Sequence, residues 1–266
     1  METKHLEISN KINLAYYSEH VPDSKVGIIL VHGLAEHKGR YDDFIQQLNG
    51  SGMSVFAVDL RGHGESAGRR GDIKTFSDYL DDLHFFVSHI KEKYPELKLV
   101  LFGHSLGGLI SSSYVSTYEG IDLLILSSPF INVHRKTKLF KFIPHKLGGF
   151  IKLRKTHSES KSMLEYSRKD ELACSHFTLR LAGVMIKEGV SYITERFKDI
   201  KIPLLMMGGA LDPVVDSGQF ELALEKFGSE NKTLKVYEDK KHRLVQNERK
   251  DEIIQDIIEW IKENQN

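Results

Sequence analysis

The chain has a single cysteine, Cys174, so neither an intrachain disulfide framework nor a cysteine-based zinc site is open to it. Neither sign of charge is in excess, since 37 Lys and Arg balance 37 Asp and Glu over 266 residues. A nucleic-acid binder usually carries a basic surplus, and that class is set aside. No apolar run approaches the ~18 residues of a membrane-spanning helix. The opening Met1-Glu2-Thr3-Lys4-His5 lacks the apolar stretch of a secretory signal, so the expected compartment is the cytoplasm. Internal repeats and low-complexity tracts are missing too. No metal-ligand spacing is visible, and neither a metal nor a cofactor is expected.

What is there is an alternation. Leu6–Ile8, Ile12–Tyr17, Val26–Val31, Ser54–Asp59, Lys98–Phe102, Leu123–Ser127, Ile202–Met207 and Thr233–Glu238 read as strands. Several are continuous Ile, Leu and Val runs, the mark of strands covered on both faces; the first two alternate and suit an antiparallel edge hairpin. Helical spacing fills the gaps at Tyr41–Asn49, Asp78–Lys93, Gly218–Phe227 and Asp251–Glu263. This predicts an α/β fold, a mostly parallel eight-stranded sheet flanked by helices. From Pro129 the strand signal stops for roughly seventy residues, too long for a plain loop in a compact domain. An inserted helical layer is therefore expected at 129–198, over a core made of 1–128 and 199–266.

The most informative turn follows Lys98–Phe102. Gly103-His104-Ser105-Leu106-Gly107-Gly108 has the form G-x-S-x-G and leads into a helix expected to reach Tyr118. A serine on such a sharp strand-to-helix turn is exposed, and side chains at the flanking glycines would collide with the strand and helix. A hydroxyl needs a base, and in this architecture the order along the chain is serine, acid, histidine. His242 is the only histidine after His176 and lies just past the last strand. The sixth strand ends Ser127-Ser128-Pro129 without a carboxylate, whereas the seventh leads through Gly208-Gly209-Ala210-Leu211 to Asp212. Asp212 is thus the expected acid, with Asp216 read as a helix cap and Asp239 as too near His242 on the same loop. Ser105 would attack a carbonyl carbon, His242 would take and return the proton, and Asp212 would fix the imidazole tautomer. The oxyanion needs two backbone N–H groups, expected from Leu106 and, after the third strand, from Leu34 in His32-Gly33-Leu34-Ala35-Glu36-His37.

These residues carry a resemblance. Gly103–Gly108 resembles the elbow of α/β hydrolases, and His32-Gly33-x-x-Glu36-His37-x-x-Arg40-Tyr41 resembles the monoacylglycerol lipase and lysophospholipase branch. Asp59-x-Arg61-Gly62-His63-Gly64-x-Ser66-x-Gly68 and Gly208-Gly209-Ala210-Leu211-Asp212-x-Val214-Val215-Asp216 are similar to the same branch. The resemblance implies an α/β-hydrolase core with a helical cap, acting on monoacylglycerols or related monoacyl lipids without a cofactor. It places Ser105, Asp212 and His242 on the triad positions and Leu34 and Leu106 on the oxyanion positions. It puts Glu36 and Arg40 near the polar head of the substrate, although a buried Glu–Arg pair bracing the loop fits the same residues. It matches Tyr166 to a cap tyrosine that bonds the glycerol end. Two departures stand out: Ala35 occupies a position where the family often has glycine, and Lys240, Lys241 and Arg243 flank His242 where relatives carry smaller or apolar residues.

The inserted segment has a character of its own. Residues 131–158 carry Arg135, Lys136, Lys138, Lys141, Lys146, Lys152, Arg154 and Lys155 and no acid, interleaved with Leu139, Phe140, Phe142, Ile143, Leu147, Phe150, Ile151 and Leu153. A basic, apolar-rich stretch suits transient contact with a lipid surface; equally, its apolar residues can pack on the core while the lysines solvate the outside. An acyl pocket is expected to draw its walls from Leu34, Leu106, Phe142, Ile143, Leu147, Leu181 and Val214. The expected reaction is hydrolysis of a lipid ester through an acyl-serine. Lysophospholipase, short-chain carboxylesterase or thioesterase activity keeps the same machinery, and a non-catalytic lipid-binding protein is the reading from another class. A homodimer is compatible with the sequence, which demands no oligomeric state.

Overall fold

A computed structural model of the chain describes residues 1–8, 12–131, 145–154, 169–246 and 249–265. In chain order the first strands are β1 (Lys4–Ile8), β2 (Ile12–Glu19), β3 (Val26–Val31), β4 (Ser54–Val58), β5 (Lys98–His104) and β6 (Leu123–Ser127). Two short strands follow inside the insert, β7 (Lys152–Arg154) and β8 (His176–Thr178), and then β9 (Leu204–Gly209) and β10 (Lys232–Tyr237). The eight long strands form one sheet in the order β1-β2-β4-β3-β5-β6-β9-β10. From β4 to β10 every neighbouring pair is parallel, and β1 and β2 close one edge antiparallel. All eight strands expected from the apolar runs are found. β9 starts two residues late, after Pro203, which has no N–H to give a ladder. β5 runs on to His104, paired with Ser127, which carries the chain to the edge of the following turn.

The helices are α1 (Asp42–Gly50), α2 (Ser77–Lys93), α3 (Leu106–Val115), α4 (Leu179–Gly183), α5 (Val190–Thr194), α6 (Phe220–Leu224) and α7 (Asp251–Asn264), with a π-helical turn at Val184–Gly189. Side chains alternate across the strands, so each strand feeds two cores. Ile28, Leu30, Phe102, Ile125 and Met207 pack under Phe44 and Leu48 of α1 and Ile254, Ile257 and Ile261 of α7. Ile29, Val31, Leu101, Leu124 and Met206 pack under Leu83, Phe86 and Ile90 of α2 and Leu109 and Ile110 of α3. Each such fully buried aliphatic or aromatic side chain contributes roughly 1.5–3 kcal/mol, which fixes the sheet between its two helical layers.

The insert is not wholly helical, contrary to the expectation from its sequence. β7 and β8 pair antiparallel, Lys152 with Thr178 and Arg154 with His176. Three-residue strands have no measurable periodicity, and this ribbon is tied to the core from outside by Thr178 N donating to Gly71 O at 2.8 Å, while Leu179 N to Ile151 O at 2.8 Å extends the pairing within the insert. Gly71 has φ +62°, and a Cβ there would meet His176 O at 2.5 Å, so the core loop accepts the ribbon only through a glycine. Ion pairs add further ties. Asp72 accepts from Thr178 Oγ1 at 2.6 Å and pairs with Arg180, and Glu188 caps α2 by accepting from Phe76 N at 2.9 Å. Leu181, Val184 and Ile193 join the same apolar cluster as α3.

Candidate active site

The carboxyl ends of β5, β9 and β10 bring three distant side chains together. Ser105 follows β5 with φ +53° and ψ −112°, a left-handed setting that costs a non-glycine residue roughly 1–3 kcal/mol. The setting is over-determined. Ser105 N donates to Ser127 O at 3.0 Å, and Ser105 O accepts from Leu109 N at 3.1 Å and Phe130 N at 3.0 Å. The flanking glycines have no room for a side chain: a Cβ on Gly103 would lie 2.5 Å from Gly107 O, and one on Gly107 would lie 2.1 Å from Val31 O.

The Ser105 hydroxyl donates to His242 Nε2 at 2.9 Å, and His242 Nδ1 donates to Asp212 Oδ2 at 2.7 Å. Asp212 is 0% exposed at its side chain, and its other oxygen accepts from Val214 N at 2.7 Å and Val215 N at 3.1 Å. Both carboxylate oxygens are thereby committed, which sets the plane that receives the imidazole and selects the Nδ1–H tautomer. The loop bearing Asp212 is docked on the one bearing His242 by Ala210 N to Tyr237 O at 2.9 Å and Leu211 N to Lys240 O at 3.0 Å. Asp216 accepts from Gly218 N as a cap, and Asp239 pairs with Lys240 and Arg249. Of the three, Asp212 is the one bonded to His242.

His104 packs on His242 with ring centroids 4.9 Å apart and bonds through Nδ1 to Ser127 O. Burial, above all, drives its pKa down to about 3, so it adds no charge beside the imidazole. The segment expected to supply an oxyanion donor runs beside both His104 and Ser105. A Cβ on Gly33 would come within 3.3 Å of Ser105 Cβ, so the segment leading to Leu34 passes close to the nucleophile. Leu106 N opens α3, where first-turn donors have no intrahelical partner. Ala35 adopts φ +59°, the conformation that explains a preference for glycine there.

Glu36 and Arg40 part company. Glu36 pairs with Arg243 through Nε at 2.8 Å and accepts from Tyr41 OH at 2.9 Å and Gln246 Nε2 at 3.3 Å. Arg40 instead reaches the insert, where Nε donates to Asp170 Oδ2 at 2.8 Å beside His37 Nε2 at 2.9 Å. Burial would raise the Asp170 pKa, but bonds and charge from His37 and Arg40 hold it well below the usual carboxylate range. The two residues read as an alternative Glu–Arg pair thus take different partners, Glu36 with Arg243 and Arg40 with Asp170. Neither Arg243 nor Asp170 was singled out for this from sequence, because such pairs span long separations; the lone signal was the unusual cation next to His242. Tyr166, Phe142 and Ile143 lie outside the described residues. Leu106 and Leu181 are fully buried, Leu34 is partly buried and Val214 is exposed. Among the described residues no group of three or more His, Cys, Asp or Glu side chains is set to hold a metal ion.

The relay can activate a hydroxyl and shuttle one proton, which acyl transfer requires. A family model described as serine aminopeptidase, S33, matches residues 22–250. The chain is 31% identical to the monoglyceride lipase of Rattus norvegicus over 89% of its own length and 82% of the relative's. The crystal structure of the Paleococcus ferrophilus monoacylglycerol lipase matches with a TM-score of 0.81 at 25% identity, over 94% of this chain and 99% of that one. A soluble variant of the Saccharomyces cerevisiae monoglyceride lipase, in complex with a substrate analogue, matches with a TM-score of 0.85 at 20% identity, over 99% and 95%. With its fold, its nucleophile turn and these likenesses in agreement, the chain belongs to the serine aminopeptidase S33 family of α/β hydrolases.

Proposed function

We propose that the protein hydrolyses monoacylglycerols to fatty acid and glycerol through an acyl-enzyme on Ser105. His242 takes the Ser105 proton as the hydroxyl oxygen attacks the ester carbonyl and returns it to the departing glycerol oxygen. Asp212 holds the Nδ1–H and stabilises the imidazolium while it lasts. The N–H groups of Leu34 and Leu106 receive the negative oxygen. Water then gives a proton to His242 as its oxygen attacks the acyl carbon, the bond to Ser105 Oγ breaks, and His242 returns the proton to that oxygen as the fatty acid leaves. The observation that carries this reading is the unbroken relay of 2.9 Å and 2.7 Å from Ser105 through His242 to Asp212. The relatives named for monoglyceride hydrolysis support the choice of substrate.

An aminopeptidase would hold the substrate ammonium with an unbalanced carboxylate beside the serine. Here Asp212 is committed to His242 and Glu36 to Arg243, which favours an uncharged ester. We further read 129–198 as a cap over this edge of the sheet and as the part that meets lipid. Phe150 is 88% exposed and Ile151 53%, and they lie within the stretch that has eight basic residues and no acid. Among the described residues no helix is long and apolar enough to cross a membrane, so contact would be peripheral.

A substrate panel tests the function. Monoacylglycerols should be hydrolysed fastest, lysophosphatidylcholine more slowly and triacylglycerol not at all; equal rates across the panel would reduce the assignment to a general esterase. Vesicles of anionic phospholipid should retain the protein at low salt, and recovery of all of it in the supernatant would remove the lipid-surface role.

A further inference from the structure

Beside the triad lies a second buried charge pair that the reaction scheme leaves unused. Arg243 directly follows His242, is 6% exposed at its side chain, and sits with Nε 2.8 Å from Glu36 Oε1, itself 3% exposed. Glu36 Oε2 accepts from Tyr41 OH at 2.9 Å, Gln246 Nε2 at 3.3 Å and the backbone N–H of Gly33 at 3.4 Å. The pair thus joins the loop expected to bind the oxyanion to the loop that presents the imidazole.

The carboxylate is also close to the chemistry. The site of a Cβ on Gly33 lies 3.2 Å from Glu36 Oε2 and 3.3 Å from Ser105 Cβ. A bare carboxylate there would oppose the negative charge growing on the acyl oxygen and would favour a protonated His242. A bare guanidinium next to His242 would disfavour the imidazolium that catalysis must pass through. Paired, the two charges cancel while their bonds keep both loops in place. Among the described residues, the other groups set against His242 do not supply that balance. Asp212 bonds Nδ1, Ser105 bonds Nε2, His104 lies tilted against the ring without charge, and on the His242 loop Lys240 turns to Asp239 at 2.9 Å.

We propose that Arg243 is a positioning residue for the hydrolysis: through Glu36 it docks the His242 loop on the oxyanion loop and neutralises a carboxylate that would otherwise stand bare beside the nucleophile. This rests on the serine-hydrolase reading above and goes beyond it, because it assigns a role in turnover to a residue outside the Ser105–His242–Asp212 relay.

A four-member cycle on a soluble p-nitrophenyl ester decides it, with wild type, Arg243→Met, Glu36→Gln and the double variant measured across pH. Arg243→Met should lower kcat by about 100-fold, the scale of a small misplacement of reacting groups, and leave KM within about threefold. Its kcat/KM profile should shift its acid limb to higher pH, because the bare carboxylate stabilises imidazolium. Glu36→Gln should shift that limb to lower pH, because the bare guanidinium does the reverse. The double variant should return the limb to its wild-type position and recover a good part of kcat, and Arg243→Lys, which keeps the cation, should hold the limb in place. Additive losses with unmoved limbs, or limbs that shift the same way, would overturn the proposal and leave Arg243 as packing. Should Arg243→Met not fold, Glu36→Gln against the double variant carries the same decision. Failure of wild type both to cleave the ester and to be labelled by a fluorophosphonate would overturn the hydrolase reading and this inference together.

Discussion

Two regions meet around Ser105, and they are held by different means. The nucleophile turn is fixed by backbone: three main-chain bonds to Ser105 and glycines whose missing Cβ leaves no spare space. The insert is fixed by side chains, with Leu181, Val184 and Ile193 in the apolar cluster of α3, Asp170 between His37 and Arg40, Asp72 against Arg180, and Glu188 on the end of α2. The first kind of constraint tolerates almost no substitution and positions an atom to a fraction of an ångström. The second gives way gradually, bond by bond. Chemistry has been placed where geometry is rigid, and the cover where attachment is adjustable.

That contrast can be broken at several points. Ser105→Ala should cut ester hydrolysis the most, by roughly 10⁶-fold in kcat by analogy with a serine protease, read with a p-nitrophenyl ester. Asp212→Asn should cost about 10⁴-fold through the wrong histidine tautomer, while Asp216→Asn stays near wild type. If the two effects were exchanged, the acid would be misassigned. Gly107→Ala should disrupt the turn, costing about 1–3 kcal/mol or more as a Cβ is driven onto Val31 O, seen as lost soluble protein or a lowered Tm. Asp170→Asn should be gentler, with a loss of about 1–3 kcal/mol of stability and short-ester kcat nearly unchanged.

The Asp170 tie also has a pH signature. Its pKa is held below the ordinary carboxylate value, so the tie stabilises the folded state above about pH 4 and is lost as pH falls through the lowered value. Thermal melts of wild type and Asp170→Asn should therefore converge in acid and separate toward neutrality. A constant gap across that range would mean that the carboxylate is not the active element. Ala35→Gly should matter least, changing stability by no more than about 1 kcal/mol as relief at φ +59° offsets the added freedom of the unfolded chain.

The same contrast decides what could be read in advance. Strands buried on both faces announce themselves as runs such as Val26–Val31 and Leu123–Ser127, and both are found with the expected ends. The G-x-S-x-G turn was legible because its glycines are required by sterics, and Asp212 because strand ends are where loops converge. The ribbon of Lys152–Arg154 and His176–Thr178 was not, since three residues carry no period and its stability comes from Gly71 and Asp72, far away in the chain. Long-range ion pairs fail for the same reason. Nothing in the sequence near Glu36 distinguishes Arg243 from Arg40 as its partner, and only packing decides.

The peptide of Ser105 is bonded on both sides, to Ser127 on one and to Leu109 and Phe130 on the other. Divergence of this enzyme toward new esters therefore has little to work with at the nucleophile. Any retuning has more room in α4 and the π-helical turn behind it, where Leu181 and Val184 are held in the apolar cluster of the elbow helix by side-chain packing alone.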